Sequence, residues 1–124
     1  MTSMMKVRRC ALAVSEIRSQ ASMMVFIAFA LINGITAQAQ GKDFLALAGP
    51  GFRDFTRIAA AEPKMWRDIL LANRQELLAQ SQIFQRTLQA MEAMIESGDG
   101  EALEGLISEA SEARAHWRMG TPRK

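Results

Sequence analysis

At 124 residues the chain has room for one modest domain with a single core, and it is short for two. Fifteen basic against thirteen acidic residues leave a spread-out net charge of +2, which excludes a basic footprint for nucleic acid, and a hydrophobic share of 49% excludes a disordered chain. The single cysteine, Cys10, excludes an internal disulfide and a multi-cysteine zinc site.

The N-terminal stretch admits two readings. Lys6, Arg8 and Arg9 precede the apolar run from Met23 to Ile32, and Ala37-Gln38-Ala39 imitates a small-residue cleavage site, as in a secreted protein whose mature form would begin at Gln40. Against export, Glu16 interrupts the leader and the apolar run is too short to span a bilayer, so no membrane partner is expected. The favoured reading is a core helix with Phe26, Phe29 and Ala30 on one face and Ile27, Leu31 and Gly34 near another. The basic runs Lys6-Val7-Arg8-Arg9 and Arg123-Lys124 read as solvated ends.

Gly49-Pro50-Gly51 marks a chain break, because Pro lacks the N–H that a helix interior needs and Gly loses the most freedom on ordering. From Phe52 the residues Phe52, Phe55, Ile58 and Ala59 recur at helical spacing, which predicts a brief helix with one buried face. Pro63 fits the first turn of the next helix, with Glu62 at its positive dipole end. Arg53 and Arg57 therefore fall beside a helix–helix junction.

The helix from Pro63 is expected to be long and amphipathic, since Leu70, Leu77, Phe84 and Met91 repeat every seven residues with Leu88 and Ile95 beside them. Asp68, Gln75, Gln82 and Arg86 make its polar face. Ser97-Gly98-Asp99-Gly100 ends it with a glycine suited to a left-handed cap, and a last helix runs from about Glu101 to Trp117. That helix is expected to bury Leu103, Leu106, Ile107, Ala110 and Trp117, while the lone His116 reads as a C-terminal helix residue rather than a ligand. The sum is an all-α fold of three to five helices. Its apolar stripe calls for a partner, most simply a second copy of the chain.

The block from Gly49 to Arg74, with Gly51-Phe52-Arg53-Asp54-Phe55-Thr56-Arg57-Ile58 and Glu62-Pro63-Lys64-Met65-Trp66 within it, resembles the dimerisation-domain motif of prephenate dehydrogenases, enzymes of tyrosine biosynthesis. The likeness extends back through Asp43-Phe44-Leu45-Ala46-Leu47-Ala48 and the helix from Met24 to Gly34, covering residues 23–118. Residues 1–22 fit poorly and 119–124 form a tail. The resemblance implies an intertwined helical homodimer and a cytoplasmic protein. It also implies a part in the NAD- or NADP-dependent oxidative decarboxylation of prephenate or arogenate.

By the same resemblance Arg57 is implied to bind a substrate carboxylate, a task that suits a planar guanidinium offering two parallel hydrogen bonds. Asp54 would hold or gate it, and Trp66 would close the apolar side near Phe52. On the residues alone, Arg57 reads as the partner of Asp54 or Glu62, and Trp66 as core. Two departures count against activity of this stretch by itself. Gly49 and Gly51 lack the third glycine of a dinucleotide-binding turn, and Ser15 to Ser22 holds no histidine where the family presents one. The alternatives are a non-catalytic helical dimerisation module and a small secreted helical protein. No metal site and no catalytic residue is expected in the chain.

Overall fold

The computed structural model describes residues 22–118, all of its regular structure helical, with no strand among them. Cys10, the basic run at residues 6–9, most of the histidine-free stretch, Gly120, Pro122 and the final Arg123-Lys124 lie outside the described residues. Six α-helices follow one another: α1 over 22–36, α2 Gly41–Leu47, α3 Pro50–Thr56, α4 Pro63–Ala72, α5 Arg74–Ser97 and α6 Gly100–His116, with a 3-10 turn at Arg57–Ala59. The chain divides into two compact units, Met1–Gln82 and Ile83–Lys124.

In the first unit the apolar run becomes a core helix, but of the residues the sequence placed on its faces Phe26, Ile27 and Phe29 are half-buried and Ala30, Leu31 and Gly34 exposed. Met23, Val25 and Ala28 of α1 are buried, and with Leu77 they make up the buried hydrophobic residues among those described. Ser22, Thr56 and Ser81 are buried with them. The end of α1 is closed locally: the Ala37 N–H and the Thr36 hydroxyl donate to the Asn33 carbonyl, and the Gln38 side-chain amide donates to that of Gly34. Gly41 then opens α2 in close contact with this end. A Cβ built there would stand 2.5 Å from the Ile35 carbonyl oxygen. This is a position that only glycine fills without movement.

The break at Gly49-Pro50-Gly51 is present, and Pro50 itself is the first residue of α3, where its missing N–H costs nothing. The helix stops at Thr56, whose hydroxyl donates back to the Phe52 carbonyl at 2.6 Å. Glu62 caps α4 as expected: its carboxylate accepts the Met65 N–H at 2.6 Å, with Pro63 in the first turn.

Three sequence expectations need correction. The helix from Pro63 is interrupted at Asn73, so α4 and α5 are separate elements and the helices among the described residues number six. Asn has only middling helix propensity, and its amide is drawn into side-chain bonds. The face of Phe52, Phe55, Ile58 and Ala59 is not buried in the single chain: Phe55 and Ile58 are exposed, and the buried residue of α3 is Thr56. In α6, Leu103 and Leu106 are half-buried, whereas Ile107, Ala110 and Trp117 are exposed. One chain supplies too little surface to cover them.

In the second unit, α5 ends in a paired-hydrogen-bond cap. Gly98, at φ +71°, donates to the Ile95 carbonyl at 3.2 Å, and Asp99 donates to that of Met94 at 2.9 Å. Asp99 also caps α6 by accepting the Ala102 N–H at 3.2 Å, so one residue closes one helix and opens the next. His116 ends α6, its Nδ1–H donating to the Glu112 carbonyl at 2.8 Å, and the Arg114 guanidinium lies 5.1 Å from the Trp117 ring centroid.

Candidate functional site

The segment from Pro50 to Asn73 holds the residues that the sequence singles out. Arg57 is the first residue of the 3-10 turn, immediately after α3 stops, and its carbonyl accepts the Ala60 N–H. Its side chain is exposed. Of the two acids expected to engage it, the Glu62 carboxylate is held by the Met65 N–H, and Asp54 stands 3.9 Å from the Arg53 guanidinium with both side chains largely in solvent. Among the described residues Arg57 therefore forms no ion pair. A guanidinium left unpaired beside a helix end keeps all five donors available for an incoming carboxylate.

Trp66, one turn into α4, is half-buried. Its aromatic partner among the described residues is Phe29 of α1, met edge-on with ring centroids 6.5 Å apart and planes at 74°. The ring thus serves the contact between α1 and α4, as the residues alone suggested, whereas the family resemblance implied a place near Phe52. Met65 beside it is exposed, as is the Arg67–Asp68 pair at 2.9 Å. Such an exposed pair contributes little to stability.

Sequence reasoning missed Ser22 and Asn73. The Asn73 side-chain amide donates to the Ile69 carbonyl at 3.1 Å and to the Ser22 hydroxyl at 3.2 Å, across 51 residues of chain. The one available signal was an asparagine between Leu70 and Leu77 of the apolar repeat, a residue type that prefers caps and turns to helix interiors.

Two open hollows can be described. One open hollow lies between α5 and α6, walled by Thr87, Met91, Leu106 and Ile107, and another beside the α1–α2 turn, walled by Thr36, Gln38, Gly41 and Lys42. Neither touches Arg57, Asp54 or Trp66. The local chemistry of Arg57 is the better guide, because an exposed cation becomes a binding site once another surface covers it. The described residues offer no cradle for a dinucleotide: Gly49 and Gly51 flank the start of a seven-residue helix, with no strand before them. They also hold no cluster of metal-ligating side chains.

The family described as prephenate dehydrogenase, dimerization domain, matches residues 16–109 of the chain. The prephenate dehydrogenase of Bacillus subtilis is 43% identical over 56 residues, which are 45% of this chain and 15% of the relative. The cyclohexadienyl dehydrogenase of Zymomonas mobilis is 41% identical over 63 residues, 51% of this chain and 22% of the relative. In shape, the chain is similar to the prephenate dehydrogenase of A. aeolicus solved with hydroxyphenyl propionate and NAD+, with a TM-score of 0.74 at 28% identity over 82% of this chain and 36% of that one. The chain thus spans well under half the length of these relatives.

Proposed function

This chain belongs to the prephenate dehydrogenase dimerization-domain family, and from that membership we propose that it self-associates and supplies the substrate-carboxylate arginine, Arg57, to an NAD- or NADP-dependent oxidation of prephenate or arogenate. The observation that carries the reading is the exposed guanidinium of Arg57, which forms no ion pair among the described residues and lies inside the stretch that the family matches. Asp54, one turn before Arg57, remains within the range of a side-chain swing and serves as its gate in this reading. Trp66 supplies the apolar wall.

The homodimer follows from the apolar side chains that a single copy leaves in water. Leu47 is 85% exposed and Ile95 65%. A second copy of the chain is the cover proposed for them. No dinucleotide contact is assigned to these residues, and the redox step is left to a nucleotide-binding fold that they do not form.

The test is calorimetric titration of the purified chain with prephenate. Binding by the wild type, abolished in Arg57→Ala and weakened about tenfold or more in Arg57→Lys, supports the proposal, because an ammonium cannot reproduce the two-pronged contact. Equal affinity of all three would overturn it. The same chain mixed with prephenate and NAD+ or NADP+ is expected to form no reduced cofactor.

A second reading, a helical dimerisation module without ligand affinity, draws support from the open surroundings of Arg57 and is distinguished by the same titration. The secreted alternative fares worse. Cleavage before Gln40 would remove α1, which carries Met23, Val25 and Ala28, three of the four buried hydrophobic residues among those described. No helix among the described residues is long and apolar enough to cross a membrane. A cytoplasmic location is part of the proposal, and cell fractionation with mass spectrometry of the mature N-terminus checks it.

A further inference from the structure

Nothing in the apolar pattern explains why α4 and α5 are two helices. Leu70 and Leu77 continue one seven-residue repeat through the interruption, and neither Gly nor Pro occurs between Pro63 and Ser97. At the joint itself the ladder is nearly intact: the Asn73 N–H donates to the Ile69 carbonyl and its own carbonyl accepts the Leu77 N–H at 2.9 Å. What differs is the Asn73 backbone, at φ −103° and ψ 25°, and its side chain. One amide nitrogen donates to the Ile69 carbonyl and to the Ser22 hydroxyl, and Ser22 is only 3% exposed.

We infer that Asn73 is a positioning residue whose bond to Ser22 latches the end of α4 to α1 and so fixes where Trp66 stands. The two helices are joined at a second place by the Phe29–Trp66 contact. Ser22 and Phe29 lie seven residues apart, as do Trp66 and Asn73, so together the latch and the ring pair hold the two helices at two places. Residues separated by two turns fall on one side of a helix, as this arrangement requires. With the latch removed, α4 is free to run straight into α5 along the continuous apolar repeat. Trp66 then leaves Phe29.

The consequence for affinity rests on the reading of Trp66 as part of the substrate site, whereas the consequence for the indole itself does not. The test uses the full chain in a Trp117→Phe background, so that Trp66 is the one remaining tryptophan. Asn73→Ala and Ser22→Ala are expected to shift Trp66 emission to the red, and the double variant is expected to go no further than Asn73→Ala. Far-ultraviolet circular dichroism should hold or deepen as the joint straightens. Prephenate affinity should fall roughly two- to tenfold, the factor of one ordinary hydrogen bond.

Gly98→Ala, which weakens the second unit, serves as the control that leaves Trp66 emission in place. If Asn73→Ala does not fold, Ser22→Ala decides by the same emission. Unchanged emission in both single variants would overturn the latch. If the wild type does not bind prephenate, the reading of Arg57 and Trp66 as a substrate site fails, while the emission still decides the role of Asn73.

Discussion

Trp66 meets Phe29 edge-on across the α1–α4 contact, with ring centroids 6.5 Å apart and planes at 74°. This pairing turns a residue that sequence resemblance assigns to substrate into one that also holds the fold. Replacing Phe29 by Ala removes the ring from a half-buried position, and the expected loss is about 2 to 3 kcal/mol in urea unfolding. A loss below about 1 kcal/mol would mean that the contact contributes little more than surface coverage.

Arg57 offers the opposite behaviour. Its guanidinium has no ion pair among the described residues and its side chain is exposed, so Arg57→Ala is expected to change stability by no more than about 0.5 kcal/mol while removing prephenate binding. Thermal melts and calorimetry on one preparation separate the two effects. A stability loss above about 1.5 kcal/mol would show that the residue is structural.

Gly41 is fixed by crowding rather than by backbone angle. A Cβ would stand 2.5 Å from the Ile35 carbonyl oxygen and 3.0 Å from the Thr36 Cα, both backbone atoms that cannot swing aside. Gly41→Ala should cost about 1 to 3 kcal/mol through the shift this forces between α1 and α2. Chemical denaturation measures it, and Gly34→Ala, which meets no atom within 4 Å, is the matched comparison expected to be neutral or slightly stabilising.

The α5–α6 connection tests two separate local devices. Gly98 adopts φ +71°, so Gly98→Ala should destabilise by about 1 kcal/mol, and Asp99→Ala should lose about 1 kcal/mol with the cap on α6. Because Asp99 belongs to both caps, the double variant is expected to depart from additivity. Equal and fully additive losses would count against a shared joint.

Self-association has its own signature. Light scattering is expected to give twice the monomer mass, with a melting temperature that rises with concentration. Ile95 lies 65% exposed on α5, so Ile95→Asp should favour the monomer without unfolding α5. A monomeric wild type at high concentration, stable with these side chains in water, would end the dimer reading.

Much of the architecture is legible in residue type alone, since its causes are local. Gly49-Pro50-Gly51 breaks the chain because of backbone chemistry that no neighbour can override, Glu62-Pro63 starts α4 through a side-chain cap, and Gly98-Asp99 joins α5 to α6 through one left-handed glycine and one carboxylate. The apolar run of α1 likewise announces a core helix, and the block around Arg57 announces the family. These features need only neighbouring residues to act.

Tertiary structure decided the rest. The interruption at Asn73 depends on Ser22, 51 residues away, and a repeat such as Leu70–Leu77–Phe84 carries no trace of that partner. Trp66 meets Phe29 of α1, a partner far along the chain that neither spacing nor the family resemblance names. Apolar periodicity marks which face of a helix must leave water. Whether one chain has enough surface to cover that face, as it does for Ala28 and does not for Ile107, is fixed only when the helices are assembled in space.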